Sequence, residues 1–122
     1  MKSLKVLVID DENVICDACH LVLSEKGHAV DFCTTGKSGL LAIERGAYDV
    51  ILLDMKLPDI DGMEILETIR AEMPAPYVIV MTGYSTMSNA VQAMKLGAAD
   101  YLSKPFTDDE LMEAVEKAPI DR

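Results

Sequence analysis

The chain has 122 residues, 50% hydrophobic and 26% charged, which suits one globular domain with a single core. Its 21 acidic and 11 basic residues give a formal net charge of −10, the wrong sign for binding a nucleic-acid backbone. No apolar stretch approaches the roughly 20 residues of a membrane span, and no signal peptide opens the chain. Composition therefore predicts a soluble cytoplasmic domain that contacts neither a membrane nor, directly, nucleic acid.

Five short apolar runs predict β-strands. They cover residues 4–9, 29–33, 50–53, 78–81 and 101–102. The first, third and fourth runs are apolar at nearly every position, which is typical of strands covered on both faces of a parallel sheet. The second run carries Asp31 in its middle, which favours an edge strand.

Apolar residues recur at helical spacing between and after these runs. They are Ile15, Ala18, Cys19 and Val22; Leu40 and Ile43; Ile65, Leu66, Ile69 and Met73; Met87, Ala90, Val91 and Met94; and Leu111, Ala114, Val115 and Ala118. We expect Gly27, Gly46 and Gly97 just after helix C-termini, in the left-handed conformation that caps a helix there. Asp61 and Thr107 are expected as N-caps, each with an acidic residue three positions later.

Strands that alternate with helices predict an α/β fold. Right-handed crossovers then produce an open, doubly wound parallel sheet with helices on both faces. The domain is expected to span residues 1–118, and residues 119–122 to form a C-terminal tail or the start of a linker.

Polar residues follow four of the predicted strands. The first strand ends in Asp10 and Asp11, the third in Asp54, the fourth in Thr82 and the fifth in Lys104. Ligands of open α/β sheets bind at this edge, outside the carboxyl ends of the strands. Three carboxylates that meet there repel one another and need a cation or raised pKa values. Because the ligand atoms that these carboxylates offer are all oxygens, the pattern favours Mg²⁺ as the cation.

The same residues favour phosphoryl transfer to a carboxylate. Asp54 is the expected acceptor, since it is a single carboxylate on the central strand. Asp11 is expected to hold the ion directly and Asp10 through water. Lys104 and Thr82 supply the positive charge and the hydroxyl that a transferring phosphoryl group needs around its oxygens.

Four segments together resemble the response-regulator receiver domain of two-component signalling. They are residues 8–12, 52–62, 80–84 and 98–106, in matching order and spacing, and the likeness covers nearly the whole chain. Residues 82–106 are most similar to receivers of nitrogen-regulator-type bacterial transcriptional activators. The resemblance implies a flavodoxin-like (CheY-like) sheet with five strands in the order 2-1-3-4-5.

The resemblance also implies residue roles. A sensor histidine kinase would phosphorylate Asp54, with Mg²⁺ bound by Asp11, Asp54 and the backbone carbonyl of Lys56. Thr82 would then move toward the phosphate and Tyr101 would turn inward. Such a domain is a phosphoacceptor with limited self-phosphorylation and autodephosphorylation, and is not a conventional enzyme.

The partners that the resemblance implies lie beyond this domain. They are the kinase and an output or effector domain, attached or separate, that binds DNA and regulates transcription. Pairing of two copies through the last two helices and the last strand is a further expectation. The Lys104-Pro105 peptide bond is often cis in such domains.

Two other functions share part of this pattern. A haloacid-dehalogenase-type phosphatase also uses an aspartyl nucleophile, but it needs a second acid two residues later, where this chain has Lys56. A degenerate receiver that only binds a partner is disfavoured by the intact acidic set. Residues 10–12 taken alone would also suit a helix N-terminus, and Lys104 alone a solvated surface position.

Several other motifs are interpreted as structural. Residues 16–20 match the C-x-x-C-H pattern of haem attachment, but Cys19 falls on an apolar stripe and is expected to be a free core thiol. An apolar run into acidic residues mimics a Walker B strand, but no phosphate-binding glycine loop accompanies it. Asp59 and Asp61 are assigned to the turn and cap before the next helix, and Met87 and Met94 to the core.

Overall fold

The computed structural model describes residues 3–72, 74–83 and 87–120, with the side chains of residues 87–89 left aside. The strands are β1 Lys5–Ile9, β2 Ala29–Cys33, β3 Val50–Asp54, β4 Tyr77–Gly83 and β5 Asp100–Lys104. The helices are α1 Asn13–Glu25, α2 Gly36–Arg45, α3 Gly62–Arg70, α4 Met87–Lys95 and α5 Asp108–Glu116. Within these described ranges, no helix has both the length and the apolar character needed to cross a bilayer.

All five strands are parallel, in the order β2-β1-β3-β4-β5 that the resemblance implies. β1 and β3 are almost wholly buried, whereas the edge strand β2 is largely exposed, and both predictions are thereby confirmed. Ile9 is level with Leu53, and Asp54 is level with Met81. The carboxyl ends of β1, β3 and β4 therefore meet at one edge of the sheet.

The core consists of two apolar layers, one on each face of the sheet. Successive residues of a strand point to opposite faces, so Val6 and Val8 of β1 join one layer while Leu7 and Ile9 join the other. The first layer is covered by α1 and α5, and the second by α2, α3 and α4. The prediction of helices on both faces is confirmed.

The predicted apolar stripe of α5 is confirmed, but that of α1 is rotated by about one position. Leu111, Ala114, Val115 and Ala118 are all buried. In α1 the buried positions are Cys16, Cys19 and Leu23, whereas Ala18 is exposed. The thiol of Cys16 donates to the carbonyl of Asp10 at 3.3 Å, which fixes this side of the helix toward the sheet.

The assignment of Met94 to the core is wrong. Met94 and Val91 are 41% and 47% exposed, while Ala90 and Ala93 of the same helix are buried. Two small residues allow α4 to approach the sheet closely, and the larger side chains then point away from it. The side chain of Met87 and all of Met73 lie outside the described residues.

Most of the predicted caps are present. Gly27 and Gly97 have φ values of 89° and 107°, the left-handed conformation expected at a helix C-terminus. Gly46 is instead extended, at φ −115° and ψ 162°, so its predicted left-handed role is wrong. Asp61 accepts from a backbone N–H of α3, and Thr107 forms a complete capping box with α5.

Gly97 is required for a second reason besides its backbone conformation. A Cβ at this position would lie 2.4 Å from Cδ and Nε of Arg70. The guanidinium of Arg70 donates to the carbonyl of Leu96 at 3.0 Å, and so ties the end of α4 to α3. A side chain at residue 97 would have to displace this contact.

We expect Gly97→Ala to lower the free energy of unfolding by about 1–3 kcal/mol, from backbone strain and the loss of the Arg70 contact. Urea denaturation measures the change. Gly83→Ala is the matched control, because a Cβ there meets nothing within 4 Å and φ is not left-handed. Equal stabilities of the two variants would contradict this account of Gly97.

The buried thiols predict a selective labelling pattern. Burial raises the pKa of Cys16 to about 11 and that of Cys19 to about 12, so both are protonated at neutral pH. Cys33 is only partly buried. A maleimide should therefore modify Cys33 first in the native protein, and the other two only after unfolding, as read by peptide mass spectrometry. Labelling of all three at one rate would contradict this.

Candidate functional site

Acidic side chains from two strand ends meet at the carboxyl edge of the sheet. Asp10, directly after β1, is fully buried, and Asp54, the last residue of β3, is only 4% exposed. Asp11 and Glu12 are exposed at the entry to α1. Carboxylate oxygens of Asp10, Asp11 and Glu12 lie within 4.8 Å of one another. The predicted acids therefore share one edge, and Glu12 joins them.

Lys104 extends from β5 across the ends of the intervening strands to these acids. Its Nζ lies 2.7 Å from Oδ2 of Asp10 and 3.6 Å from Oδ2 of Asp54. Oε1 of Glu12 lies 3.5 Å from the same nitrogen. The Lys104 side chain is only 14% exposed, so the alternative of a solvated surface lysine is wrong.

Charge and burial shift the ionisation of this cluster. The pKa of Asp54 is raised to about 6, mainly by burial and further by the negative charges of Asp10 and Asp11, against a hydrogen bond from Lys56 and the charge of Lys104. Burial lowers the pKa of Lys104, but its carboxylate neighbours outweigh burial and raise that pKa above the ordinary value. The lysine therefore remains charged, with three carboxylates within 3.6 Å of its ammonium and a fourth, that of Asp11, beside Asp10 and Glu12.

Thr82 and Tyr101 occupy the two strands beyond Asp54. Thr82 is buried near the carboxyl end of β4, opposite Ser103 of β5. Its hydroxyl makes no hydrogen bond with any residue that the structure describes. Tyr101 is 44% exposed and pairs with Val80, two residues before Thr82. The Thr82 hydroxyl and the exposed Tyr101 ring thus lie on the neighbouring strands β4 and β5.

The loop after β3 turns back onto Asp54. The N–H of Lys56 donates to Oδ1 of Asp54 at 3.0 Å, and Lys56 forms an isolated antiparallel bridge with Asp61. Asp61 caps α3 by accepting from the N–H of Met63 at 3.0 Å, as predicted. The peptide bond before Pro105, at the other side of the site, is cis.

Asp59 lies in the turn before α3, as predicted, but its carboxylate bonds to a different helix. Its carboxylate accepts from the N–H groups of Gly36 and Lys37, at 2.9 and 3.0 Å, and so caps α2 instead of α3. Only the cap part of that assignment is wrong, because the loop packs back onto a helix that precedes it by more than twenty residues. Sequence spacing carries no signal for such a contact.

Glu12 was missed as a site residue because a helix N-terminus explains an acidic residue there equally well. In the structure its side chain makes no capping hydrogen bond. Its N–H instead donates to Oδ1 of Asp10 at 2.9 Å, which turns the chain so that the carboxylate faces Lys104. The available signal was its position next to two acids at a strand end.

Curated relatives share most of this chain but are much longer. ZraR of Escherichia coli, a transcriptional regulatory protein, is 35% identical over 116 residues, which are 95% of this chain and 26% of ZraR. The transcriptional regulatory protein QseB of Haemophilus influenzae is 37% identical over 84% of this chain and 47% of QseB. The chain thus spans less than half the length of these two relatives.

Solved structures and a family model agree with the fold. NtrX of Brucella abortus superposes with a TM-score of 0.91 at 33% identity, over 96% of this chain and 27% of that one. A CheY-like receiver domain from Methanospirillum hungatei gives 0.89 at 32%, over 95% and 93%. A model of the response regulator receiver domain matches residues 6–116. The chain therefore belongs to the receiver domain family of two-component response regulators.

Proposed function

We propose that this domain takes a phosphoryl group from a phosphohistidine of a sensor kinase onto Asp54, in a Mg²⁺-dependent reaction. The change then passes to an attached or partner output domain that regulates transcription. The supporting observation is the meeting of buried Asp10 and Asp54 with Lys104 at the carboxyl edge of a receiver sheet. Receiver domains are phosphoacceptors and not conventional enzymes.

The chemistry of the donor set fits a hard divalent cation. Every candidate ligand atom is an oxygen, and the cluster holds four carboxylates against one ammonium, so negative charge is in excess. Asp11, Asp54 and the backbone carbonyl of Lys56 would hold the ion, with Asp10 acting through water. When bound, Mg²⁺ neutralises negative charge on the transferring phosphoryl group.

The hydrogen bonds of Asp54 distinguish its two oxygens. Oδ1 accepts from the N–H of Lys56, whereas Oδ2 faces the ammonium of Lys104. With a pKa of about 6, Asp54 is mostly ionised near neutral pH. Oδ2 is the oxygen that attacks: it forms the new O–P bond while the P–N bond to the kinase histidine breaks and the ring nitrogen keeps the electron pair.

Lys104 and Thr82 then act on the phosphoryl oxygens. Lys104 already lies 3.6 Å from Oδ2 of Asp54, and a phosphoryl group there competes with Asp10 for the ammonium. Thr82 turns its hydroxyl toward the same group, since no described residue holds it elsewhere. Tyr101, now exposed on the neighbouring strand, moves into the space that Thr82 leaves.

The output surface in this proposal is the face of α4, β5 and α5. Val91 and Met94 of α4 and Tyr101 of β5 are exposed, and so are available to a partner or to a second copy. We place the receiver at residues 1–118 and the start of a linker or tail at 119–122, in a protein of the cytoplasm.

Phosphorylation is tested by incubation with Mg²⁺ and a small acyl phosphate, followed by intact mass measurement. We expect one phosphoryl addition, which disappears in Asp54→Asn and when the cation is chelated. Glu67→Gln, on the exposed side of α3, is the control and should be modified like the wild type. Modification that persists in Asp54→Asn, or steady turnover of phosphate esters, would exclude Asp54 as the stable acceptor.

Burial of the Asp54 carboxylate, together with repulsion from its acidic neighbours, predicts a stabilising substitution. The carboxyl has a pKa of about 6 in the folded protein, raised from its ordinary value of 3.8, so above pH 6 its ionisation opposes folding. Without Mg²⁺, Asp54→Asn should raise the free energy of unfolding near pH 7 by about 1–3 kcal/mol.

The sign of the pH dependence follows from the raised pKa. As the pH falls through 6 toward 3.8, the wild-type carboxyl protonates in the native state first and its destabilising effect fades. The advantage of Asp54→Asn should therefore be full near pH 7 and small near about pH 4.5 in urea denaturation. A variant less stable than the wild type near neutral pH would contradict this prediction.

A further inference from the structure

The loop between β3 and α3 is tied at its tip to the first turn of α2. Asp59 accepts hydrogen bonds from the N–H groups of Gly36 and Lys37, at 2.9 and 3.0 Å. The first N–H groups of a helix lack partners within it, and a carboxylate there also meets the positive end of the helix dipole. These two donors hold the pKa of Asp59 below its ordinary value.

The helix side of this contact is built for close approach. Gly36 is buried, and a Cβ on it would lie 3.0 Å from Cβ of Ile60 and 3.1 Å from both Oδ1 of Asp59 and Cδ1 of Ile65. A larger residue at position 36 would push the loop away. The contact therefore depends on a carboxylate in the loop and on a glycine in the helix.

The opposite end of the same loop carries the backbone that faces Asp54. The N–H of Lys56 is bonded to Oδ1 of Asp54, and Lys56 pairs with Asp61 across the loop. Asp59 lies between these two bridge partners in sequence. Its attachment to α2 consequently fixes the loop at a third point, and limits how far the Lys56 peptide can shift relative to Asp54.

We propose that Asp59 is a positioning residue that orients the Lys56 carbonyl for the cation by anchoring the loop to α2. This inference rests on the proposed function, because it assigns that carbonyl as a ligand. Asp59 itself touches neither the cation nor the phosphoryl group; it acts through the peptide backbone three residues away.

The test compares Mg²⁺ affinity by isothermal titration calorimetry in the wild type, Asp59→Ala and Glu67→Ala. Both variants remove one exposed negative charge, so Glu67→Ala controls for the change in net charge. We expect Asp59→Ala to bind Mg²⁺ about tenfold more weakly, the scale typical of groups that orient a metal ligand, and Glu67→Ala to stay within about twofold of the wild type.

A spectroscopic readout tests the anchor without any cation. In ¹⁵N–¹H spectra the amide protons of Gly36 and Lys37 should shift upfield in Asp59→Ala, and remain unchanged in Glu67→Ala. Gly36→Ala approaches the contact from the helix side and should also weaken Mg²⁺ binding, with Asp59 intact. Thermal unfolding of each variant verifies that the fold is retained.

Equal Mg²⁺ affinities of Asp59→Ala and Glu67→Ala would overturn the positioning role, as would unaltered Gly36 and Lys37 amide signals in Asp59→Ala. Failure of the proposed function has a different signature. A wild type that binds no Mg²⁺, or that gains no phosphoryl group on Asp54, would overturn the assigned chemistry before any variant is compared.

Discussion

The arrangement of the domain depends on one electrostatic imbalance, a single ammonium held among more carboxylates than it can neutralise. Lys104 contacts Asp10 at 2.7 Å and lies 3.6 Å from Asp54, and both acids are buried. Buried charges are costly unless they are paired, and here the pairing is incomplete. Burial and repulsion raise the pKa of Asp54 to about 6. An added cation would stabilise this excess of negative charge, so the local structure responds to changes of charge at the site.

The parallel sheet is what allows these charges to meet. β5 and β1 are separated by β3 and β4, so Lys104 reaches Asp10 only because all the carboxyl ends lie on one edge. The lysine is then mechanically linked to β5, the strand that also carries the exposed ring of Tyr101. A new negative group at Asp54 competes with Asp10 for the ammonium. β5, which carries the exposed ring of Tyr101, is therefore connected to the charge state of the site through the side chain of Lys104.

Sequence patterns predicted the parts of the molecule that depend on burial of whole strands. Continuous apolar runs identified β1, β3 and β4, and a central charge identified β2 as the edge. The errors concern which face of a helix is buried, because that depends on contacts with neighbouring elements. Ala18 fits the α1 stripe by spacing, yet the helix is rotated so that the Cys16 thiol bonds to Asp10. Met94 fits the α4 stripe, yet two alanines occupy the closest approach to the sheet. In both helices the apolar spacing predicted the helix itself correctly. It predicted the wrong rotation of the helix about its axis, and therefore the wrong buried face.

The candidate site likewise has a part that the sequence predicts and a part that depends on tertiary contacts. Asp10, Asp54 and Lys104 were predictable because strand ends in a parallel sheet share an edge whatever the details of packing. The loop that borders Asp54 has no such rule, since its conformation depends on two hydrogen bonds from a helix more than twenty residues earlier in the chain. The charged groups are thus set by topology, while the backbone next to them is set by a tertiary contact. A substitution in that contact can therefore move the backbone beside Asp54 without altering any charged group of the cluster.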